Sequence, residues 1–149
     1  MVEVRRVKEE EMQAVMELAE DVFFLEQGIP REMCYIGPEQ EPLWWGAFEG
    51  EWLVGTAVSY VEDSRRHMGR ITVRPQLRGQ RIGSAVIEQA LRDLFRMGVP
   101  EVFLDARPTT VNIILRLWGR VIGAEYEFFK GTCTPIAITK EEFLKKNTI

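Results

Sequence analysis

The stretch Arg74-Pro75-Gln76-Leu77-Arg78-Gly79-Gln80-Arg81-Ile82-Gly83-Ser84 separates a short run typical of a strand from a long amphipathic run typical of a helix. Residues 69–73 are rich in β-branched side chains, and Pro75 then removes a backbone donor and ends the strand. Gly79 and Gly83 let the chain turn steeply, and the free N–H groups of a helix that begins near Arg81 point back into the turn. The order of strand, turn and helix therefore predicts an anion site.

Charge supports the same prediction. Arg74, Arg78 and Arg81 lie within eight residues of a chain whose net charge is −4, and a helix start adds about half a positive charge. We expect a diphosphate to bind here. The dinucleotide fingerprint G-x-G-x-x-G and the G-K-[ST] of a phosphate-binding P-loop are both absent. The alternative interpretation is a solvated turn whose arginines face water.

The composition limits the classes of protein to consider. A chain of 149 residues with 46% hydrophobic and 28% charged residues has the length and balance of one globular domain. Its acidic charge argues against binding to nucleic acid or to an anionic membrane. Because no apolar run approaches about 20 residues and the N-terminus lacks a signal-peptide core, we expect a cytoplasmic protein. Cys34 and Cys133 are too few for a disulfide framework or a zinc site, and we expect both to be reduced.

Hydrophobic periodicity predicts a mixed α/β sheet with the order β-α-β-β-β-α-β-α-β-β. We expect Gly98 to end the second helix, Thr109 or Thr110 to cap the third, and Thr139 with Glu142 to form a capping box for a last helical turn. The predicted strands are 2–7, 43–48, 52–60, 70–74, 102–106, 124–130 and 134–138, the predicted helices are 9–25, 81–97 and 109–121, and 31–42 is a loop.

The arginine stretch resembles the cofactor loop of the GNAT superfamily of acyl-CoA-dependent N-acyltransferases, whose pattern is [Q/R]-x-x-G-x-[G/A]. Arg78 fills the first place and Gly83 the last, while Arg81 replaces the inner glycine and should then keep an ordinary negative φ. Glu26-Gln27-Gly28-Ile29-Pro30 is similar to the E-Q-G-I-P string of one bacterial subgroup, and 128–136 follows the outline of its closing strand pair. The resemblance spans nearly the whole chain and implies a single domain over 1–149.

The resemblance implies a fold in which the fourth and fifth strands splay apart and hold the pantetheine arm of acetyl-CoA between them. The backbone of the fourth strand would bond to that arm, and an Asn in the first turn of the third helix would contact it. By position, the implied cofactor-binding residues are Ile71, Thr72, Val73, Arg78, Gly79, Gln80, Arg81, Ile82, Gly83, Ser84 and Asn112.

Transfer of an acyl group from a thioester to an amine needs a neutral amine, a stabilised oxyanion and a leaving thiolate. A carboxylate or His within reach of the amine would accept its proton. No residue stands out for this role, and a solvated surface position is the alternative for each candidate. The candidate bases are Glu26, Glu62, His67, Asp105 and Glu127. His67 follows two arginines in a predicted hairpin loop, where we expect it to have no role.

Many members of the superfamily place a Tyr four residues before the Gly that closes the third helix, where it protonates the thiolate. That position is Gly119 here, Trp118 beside it is no useful acid, and Tyr126 lies beyond the helix. The usual acid is therefore missing, and Tyr126 is kept, with Glu26 and Asp105, among the candidate catalytic residues. A thiol pKa of about 8.5 lets the thiolate leave without much help, so the change lowers a rate more than it forbids the reaction.

The remaining parts of a site are implied more loosely. The oxyanion would be held by a backbone N–H near Val73, where the strand of the superfamily often carries a bulge. Acceptor specificity would come from the loop 27–42 and from Trp44 and Trp45, which either line a pocket or belong to the core. Cys34 and Cys133 are expected to be small packing residues rather than nucleophiles.

The resemblance thus implies an acetyl-CoA-dependent N-acetyltransferase that acts by direct attack of a primary amine on the thioester. The acceptor would be a small molecule or a peptide, and no metal is implied. Two alternatives stay open: a non-catalytic acyl-CoA-binding regulator, and a nucleotide- or phosphate-binding module that uses the arginine loop for another anion. A homodimer also stays open, since members of the superfamily often pair.

Overall fold

A computed structural model of the chain describes residues 1–33 and 35–149, so the expectation for Cys34 lies outside the described residues. The described residues form an eight-stranded sheet of order β1-β2-β3-β4-β5-β8-β6, with β7 also paired to β8, and four α-helices. This mixed α/β architecture confirms the predicted fold class. The strands are β1 (Val2–Arg6), β2 (Leu43–Glu49), β3 (Trp52–Glu62), β4 (Arg65–Val73), β5 (Glu101–Ala106), β6 (Arg120–Val121), β7 (Tyr126–Glu127) and β8 (Thr132–Thr139), and the helices are α1 (Met12–Glu20), α2 (Ile82–Arg96), α3 (Pro108–Arg116) and α4 (Lys140–Leu144).

The first helical segment is not one continuous α-helix. A 3-10 turn at Glu9–Glu11 precedes α1, and a π-helix at Asp21–Glu26 follows it. The Gln27 amide bonds to the Val22 carbonyl five residues back, at 2.9 Å. This turn is wider than a turn of α-helix, and such π-turns are frequent at functional sites.

The helix α3 differs from the prediction at both ends. Arg107, not Thr109 or Thr110, occupies the N-cap position, and Pro108 takes the first helical position. The helix ends at Arg116 rather than at residue 121 because Trp118 adopts a left-handed φ of 78°. The Trp118 amide bonds to Leu115 O at 3.0 Å and the Gly119 amide bonds to Ile114 O at 2.9 Å, which is the Schellman pattern of helix termination.

The C-terminal part of the sheet corrects one strand and confirms one cap. The predicted strand 124–130 is shortened to β7, and β6 lies where the end of the third helix was predicted; the two short strands pair with different parts of β8. The capping box is confirmed, because Thr139 Oγ1 accepts the Glu142 amide at 3.0 Å and Glu142 Oε1 accepts the Thr139 amide at 2.8 Å. Gly98 follows α2 with a φ of 95°, as a helix-ending glycine does.

The sheet packs helices on both of its faces. The larger core cluster joins α2 and α4 to one face, and a second cluster joins α1 to the other. Trp44 and Trp45 belong to these two clusters, because neighbouring residues of a strand point to opposite faces. Trp45 is fully buried, and its indole N–H donates to Asp93 Oδ2 at 2.9 Å. The two tryptophans are therefore core residues, and neither lines the cavity that the loop 27–42 helps to enclose.

Within the described residues, no helix combines the length and the apolar character needed to cross a membrane. The same residues contain no group of three or more His, Cys, Asp or Glu side chains that could hold a metal ion.

Candidate functional site

The strands β4 and β5 separate along their length. They are parallel neighbours that pair at His67 and Phe103, whereas β4 continues to pair with β3 as far as Val73. Residues 71–73 therefore have backbone groups on the β5 side that no strand pairs. The splay expected from the resemblance is present, and it opens a cleft between the two strands.

A bulge lies in β4 where the splay begins. The register of β3 and β4 shifts between Thr56 and Val58. As a result, the single β3 residue between Thr56 and Val58 lies opposite two residues of β4, Arg70 and Ile71. Arg70 has a left-handed φ of 48°. The bulge was expected near Val73, and it lies two to three residues earlier because the strand pairing is regular again from Thr72 onward.

Residues 74–81, which we call the arginine loop, lead from β4 into α2 by a turn with two left-handed residues. Gly79 has a φ of 85° and Arg81, at the N-cap position of α2, has a φ of 64°. The expectation of a negative φ for Arg81 is wrong, since the chain needs the left-handed conformation to enter the helix at this angle. No side chain caps α2 at this end, so the first amides of the helix keep their donors for another partner.

The loop, the splayed strand β4 and the start of α3 enclose a cavity of about 560 Å³, which we call the strand cleft. Of the residues expected to bind the cofactor, all but Gln80 line it. Thr72 contributes backbone, because its side chain is buried and bonds to Thr56 Oγ1 at 2.6 Å. The expected residues that line the strand cleft are Ile71, Thr72, Val73, Arg78, Gly79, Arg81, Ile82, Gly83, Ser84 and Asn112.

Two arginines, not three, face the strand cleft from the loop. Arg74 turns away: its Nε donates to Leu53 O at 2.7 Å, and its guanidinium lies 5.1 Å from the centre of the Trp52 ring. Arg78 forms a two-point ion pair with Glu26, at 2.6 and 2.8 Å. The hydrogen bond to Arg78 lowers the pKa of the Glu26 carboxyl below its ordinary value, which makes Glu26 a weak base.

A second cavity of about 430 Å³, the aromatic cavity, lies beside the strand cleft. The loop 27–42 contributes to its wall. Its other walls come from the π-turn, from β3, β4, β5, β7 and β8, and from the start of α3. Apolar and aromatic side chains are the most numerous in the lining, while polar groups supply about half of its exposed surface; the apolar and aromatic residues include Phe23, Ile29, Met33, Tyr35, Ile36, Tyr60, Met68 and Phe128. Such a wall suits a ligand that has an apolar body and several polar groups.

The candidate catalytic residues divide between the two cavities. Glu62, Asp105 and Tyr126 line the aromatic cavity, whereas Glu26 lines the strand cleft. Burial, followed by the charge of the nearby Asp105 carboxylate, raises the pKa of Tyr126 to about 12, so its hydroxyl is protonated at neutral pH. Glu127 is not among the described residues that line either cavity.

His67 and Cys133 have packing roles. His67 lies within β4 rather than in the predicted loop, because β4 begins at Arg65; its ring is 5.5 Å from that of Tyr60 and 5.9 Å from that of Phe103. Cys133 is buried in the wall of the aromatic cavity, and burial raises the pKa of its thiol. A thiol that stays protonated is a poor nucleophile, which agrees with a packing residue.

Arg107 connects the parts of the site, and no sequence motif predicted a role for it. Its guanidinium donates to Gln27 Oε1 at 3.0 Å, to Phe128 O at 2.5 Å and to Phe129 O at 3.0 Å. Phe129 and Lys130 both have positive φ in the turn that joins β7 to β8, and Arg107 links that turn to Gln27, at the start of the loop 27–42. One indication of a special position was present in the sequence, because this Arg directly precedes Pro108, the first residue of α3.

The two cavities share part of their lining. Ile71, at the bulge, and Arg107 belong to both, as do Gln27 and Thr110. A ligand in the strand cleft and a ligand in the aromatic cavity would therefore meet beside the bulge of β4. This arrangement fits a two-substrate transfer.

Comparisons with known proteins agree with the geometry. The family model described as Acetyltransferase (GNAT) family matches residues 10–123. No curated protein matches the chain significantly. Among solved structures, ElaA of Escherichia coli superposes with a TM-score of 0.78 at 20% identity over 92% of this chain and 99% of that chain.

Two further structures share the fold. The ribosomal-protein-S18-alanine N-acetyltransferase of Escherichia coli has a TM-score of 0.72 at 15% identity, over 93% of this chain and 94% of that chain. The PaiA N-acetyltransferase of Thermoplasma acidophilum, solved in complex with coenzyme A, has a TM-score of 0.68 at 14% identity, over 93% and 99%. These identities are low, so the superpositions establish the fold, while the family model covers more than half of the sequence. The chain belongs to the GNAT family of acetyltransferases.

Proposed function

We propose that the protein is an N-acetyltransferase that moves the acetyl group of acetyl-CoA to the primary amine of a small molecule or peptide by direct attack. The observation that carries the proposal is the junction of the two cavities beside the β4 bulge. The proposal takes residues 1–149 as one catalytic domain that works in the cytoplasm.

The strand cleft has donors of the kind that coenzyme A needs. The uncapped amides at the start of α2 and the guanidinium groups of Arg78 and Arg81 suit a pyrophosphate. The unpaired backbone of residues 71–73 suits the amides of a pantetheine arm. Asn112, exposed in the first turns of α3, adds a side-chain amide to the same cleft. Acetyl-CoA supplies the thioester when it is bound.

The aromatic cavity would hold the amine. In the transfer, the amine nitrogen forms a bond to the acetyl carbon, the C–S bond breaks, and sulfur keeps the electron pair. We assign the proton acceptor to Asp105 or Glu62, the two carboxylates of this cavity, and not to Glu26, whose carboxylate is held by Arg78. We assign the proton donor for the thiolate to the protonated Tyr126 hydroxyl.

The bulge supplies a further group. The bulge adds one residue to β4 at Arg70 and Ile71, so one backbone amide there lies outside the regular pairing of β3 with β4. We assign this amide to the oxygen on which negative charge develops during the transfer.

Calorimetric titration with acetyl-CoA tests the cofactor assignment. Arg78→Glu together with Arg81→Glu is expected to weaken binding by about 100-fold or more, because each charge-assisted contact is worth about 1.5–3 kcal/mol. The control is Arg65→Glu with Arg96→Glu, which changes the charge equally outside both cavities. Equal affinities of a folded double variant and the wild type would contradict the cofactor assignment.

Release of free thiol from acetyl-CoA in the presence of an amine panel tests catalysis. Turnover is the expected result. Binding of acetyl-CoA without turnover of any amine would favour the non-catalytic regulator instead, and displacement of coenzyme A by ATP would favour a general phosphate-binding module.

A further inference from the structure

Arg70 holds a strained position at the place where the two cavities meet. It lies in the β4 bulge with a left-handed φ of 48°, and its side chain lines the aromatic cavity. A residue other than glycine in this conformation is costly, and such strain collects at functional sites. Keeping an arginine at this position therefore lowers the stability of the folded protein.

The hydrogen bonds of Arg70 are incomplete. Of its five N–H donors, one Nη2 donor bonds to Met33 O at 2.7 Å, and the buried Nε has no hydrogen-bond partner within the described chain. No carboxylate of the described residues forms an ion pair with it. Arg107, the other arginine of this cavity, is by contrast occupied by three carbonyl oxygens. Arg70 is therefore the arginine of this cavity that keeps hydrogen-bond donors without a partner among the described residues, and its guanidinium lies 5.7 Å from the centre of the Phe23 ring.

Tyr60 adds a neutral donor beside Arg70. A Cβ placed on Gly69 would lie 3.7 Å from the Tyr60 hydroxyl oxygen, so this hydroxyl is next to the residue that precedes Arg70. Tyr60 lines the aromatic cavity, and burial raises the pKa of its hydroxyl despite the charge of Arg70. A guanidinium and a protonated hydroxyl that line the same cavity match the acceptor oxygens of a carboxylate.

The same cavity carries the opposite charge as well. The carboxylates of Glu62 and Asp105 line it together with Arg70, and most of its other lining is apolar or aromatic. A ligand that fits all three features has an ammonium group, a carboxylate and an apolar body. That description is an α-amino acid with a large apolar or aromatic side chain.

We propose that Arg70, with the Tyr60 hydroxyl, binds the carboxylate of the acceptor, and that the acceptor is an apolar or aromatic α-amino acid. This inference rests on the proposed acetyl transfer and names its substrate class. The reaction is the one given above, with the α-amino nitrogen as the attacking atom. Arg70 is a specificity-determining residue here and takes no part in proton transfer.

Kinetic discrimination between matched amines provides the first test. L-phenylalanine and phenethylamine share a body and an amine and differ in the carboxylate. With acetyl-CoA, we expect kcat/KM to favour L-phenylalanine by about tenfold to 100-fold, as for a lost charge-assisted contact. Arg70→Gln should bring the ratio close to one, and Arg70→Lys should restore part of it. Arg96→Gln, the same charge change on the exposed side of α2, should leave the ratio unchanged.

A binding measurement keeps the inference testable without catalysis. The Nε–Hε signal of Arg70 in a nitrogen–proton NMR spectrum should shift on addition of N-acetyl-L-phenylalanine, the product, and should not shift with N-acetylphenethylamine. An unmoved signal at millimolar product, or a preference that survives in folded Arg70→Gln, would overturn the inference. A shifted signal in a protein that does not bind acetyl-CoA would contradict the proposed function and leave carboxylate binding by Arg70 supported.

Discussion

Arg81 adds a positive charge to the strand cleft but places the backbone in a strained conformation. It stands at the left-handed position that leads into α2, with a φ of 64°, and its guanidinium lines the strand cleft. A glycine would take this φ without strain, whereas an L-residue loses about 1–2 kcal/mol there. The family pattern has a glycine at this place, so the arginine adds a cation to the anion site and costs backbone strain.

Arg81→Gly should separate these two effects. We expect the free energy of unfolding to rise by about 0.5–1 kcal/mol, since relief of strain is partly offset by the greater freedom of the unfolded chain. We also expect coenzyme A to bind about tenfold more weakly, because a charge-assisted contact is lost. Urea unfolding and calorimetry measure the two quantities. Arg81→Lys, which keeps the charge and the strain, is the control, and a glycine variant with lower stability would show that the turn is not strained.

Glu26 and Arg78 illustrate a contact that does not block the site. Their ion pair lies at the rim of the strand cleft, with both side chains more than 40% exposed. An exposed pair of this kind is worth at most about 1 kcal/mol, because water screens both charges. A pyrophosphate can therefore take over the Arg78 guanidinium at little cost.

The junction between β1 and the first helical segment depends on a second arginine–carboxylate pair. Glu11 accepts two hydrogen bonds from Arg5, at 2.9 and 2.8 Å, and accepts the Lys8 amide at 2.8 Å. These contacts, with the Arg5 bond first, lower the pKa of Glu11 from 4.5 to about 2. The contribution to stability is therefore present above about pH 4.5 and is lost as the pH falls toward 2.

Glu11→Gln should test this linkage. The variant keeps an oxygen for the Lys8 amide and loses the charge that faces Arg5. We expect it to be about 1 kcal/mol less stable than the wild type at pH 7, after allowance for screening, with the difference shrinking below pH 4.5. Chemical unfolding across this pH range measures the difference. Glu10→Gln, at an exposed neighbouring site, should change little, and a loss for Glu11→Gln that does not depend on pH would contradict the pKa assignment.

The π-turn at the end of the first helical segment brings this element into the site. Its wider turn places Phe23 in the wall of the aromatic cavity, while Glu26 reaches the Arg78 loop and Gln27 reaches Arg107. Apolar spacing predicted the helix and its approximate length. The change from an α- to a π-turn was not predictable, because contacts with distant residues decide it.

The arrangement of the whole sheet makes the cleft. Strong pairing holds β4 to β3 and β5 to β8, and the two pairs meet at a single register position between His67 and Phe103. The backbone of residues 71–73 therefore remains open toward β5 in the free protein. Coenzyme A bound in the cleft would occupy these groups and bridge the two halves of the sheet.

Coenzyme A should consequently stabilise the molecule as a whole. At about 100 times its dissociation constant, it should add about 2.7 kcal/mol, which corresponds to a rise of about 5–10 °C in the thermal midpoint for a chain of this size. Amide exchange at residues 71–73 should slow at the same time. The double variant of Arg78 and Arg81 to Glu should show neither effect at the same concentration. An equal rise with ATP would contradict a site built for coenzyme A.

Local signals in the sequence were sufficient for the order of elements as far as α3 and for the position of the anion loop. Pro75, Gly79 and the apolar stripe of α2 act through contacts within a few residues, so their pattern can be read directly. The same signals misplaced the end of α3, because the left-handed Trp118 carries no glycine signal. They also missed Arg107 and Arg70, whose roles depend on carbonyl groups far away in the chain.

The sequence alone determined the mixed α/β class, the strand–loop–helix unit around residues 74–84 and the resemblance to the GNAT family, because periodicity and turn chemistry are local properties. Only the tertiary structure decided that β4 carries its bulge at Arg70, that Trp44 and Trp45 are core residues, and that two cavities meet at Ile71 and Arg107. The reason is physical: strand register, burial and the meeting of cavity walls depend on residues that are distant in sequence, and no local pattern records where they come together.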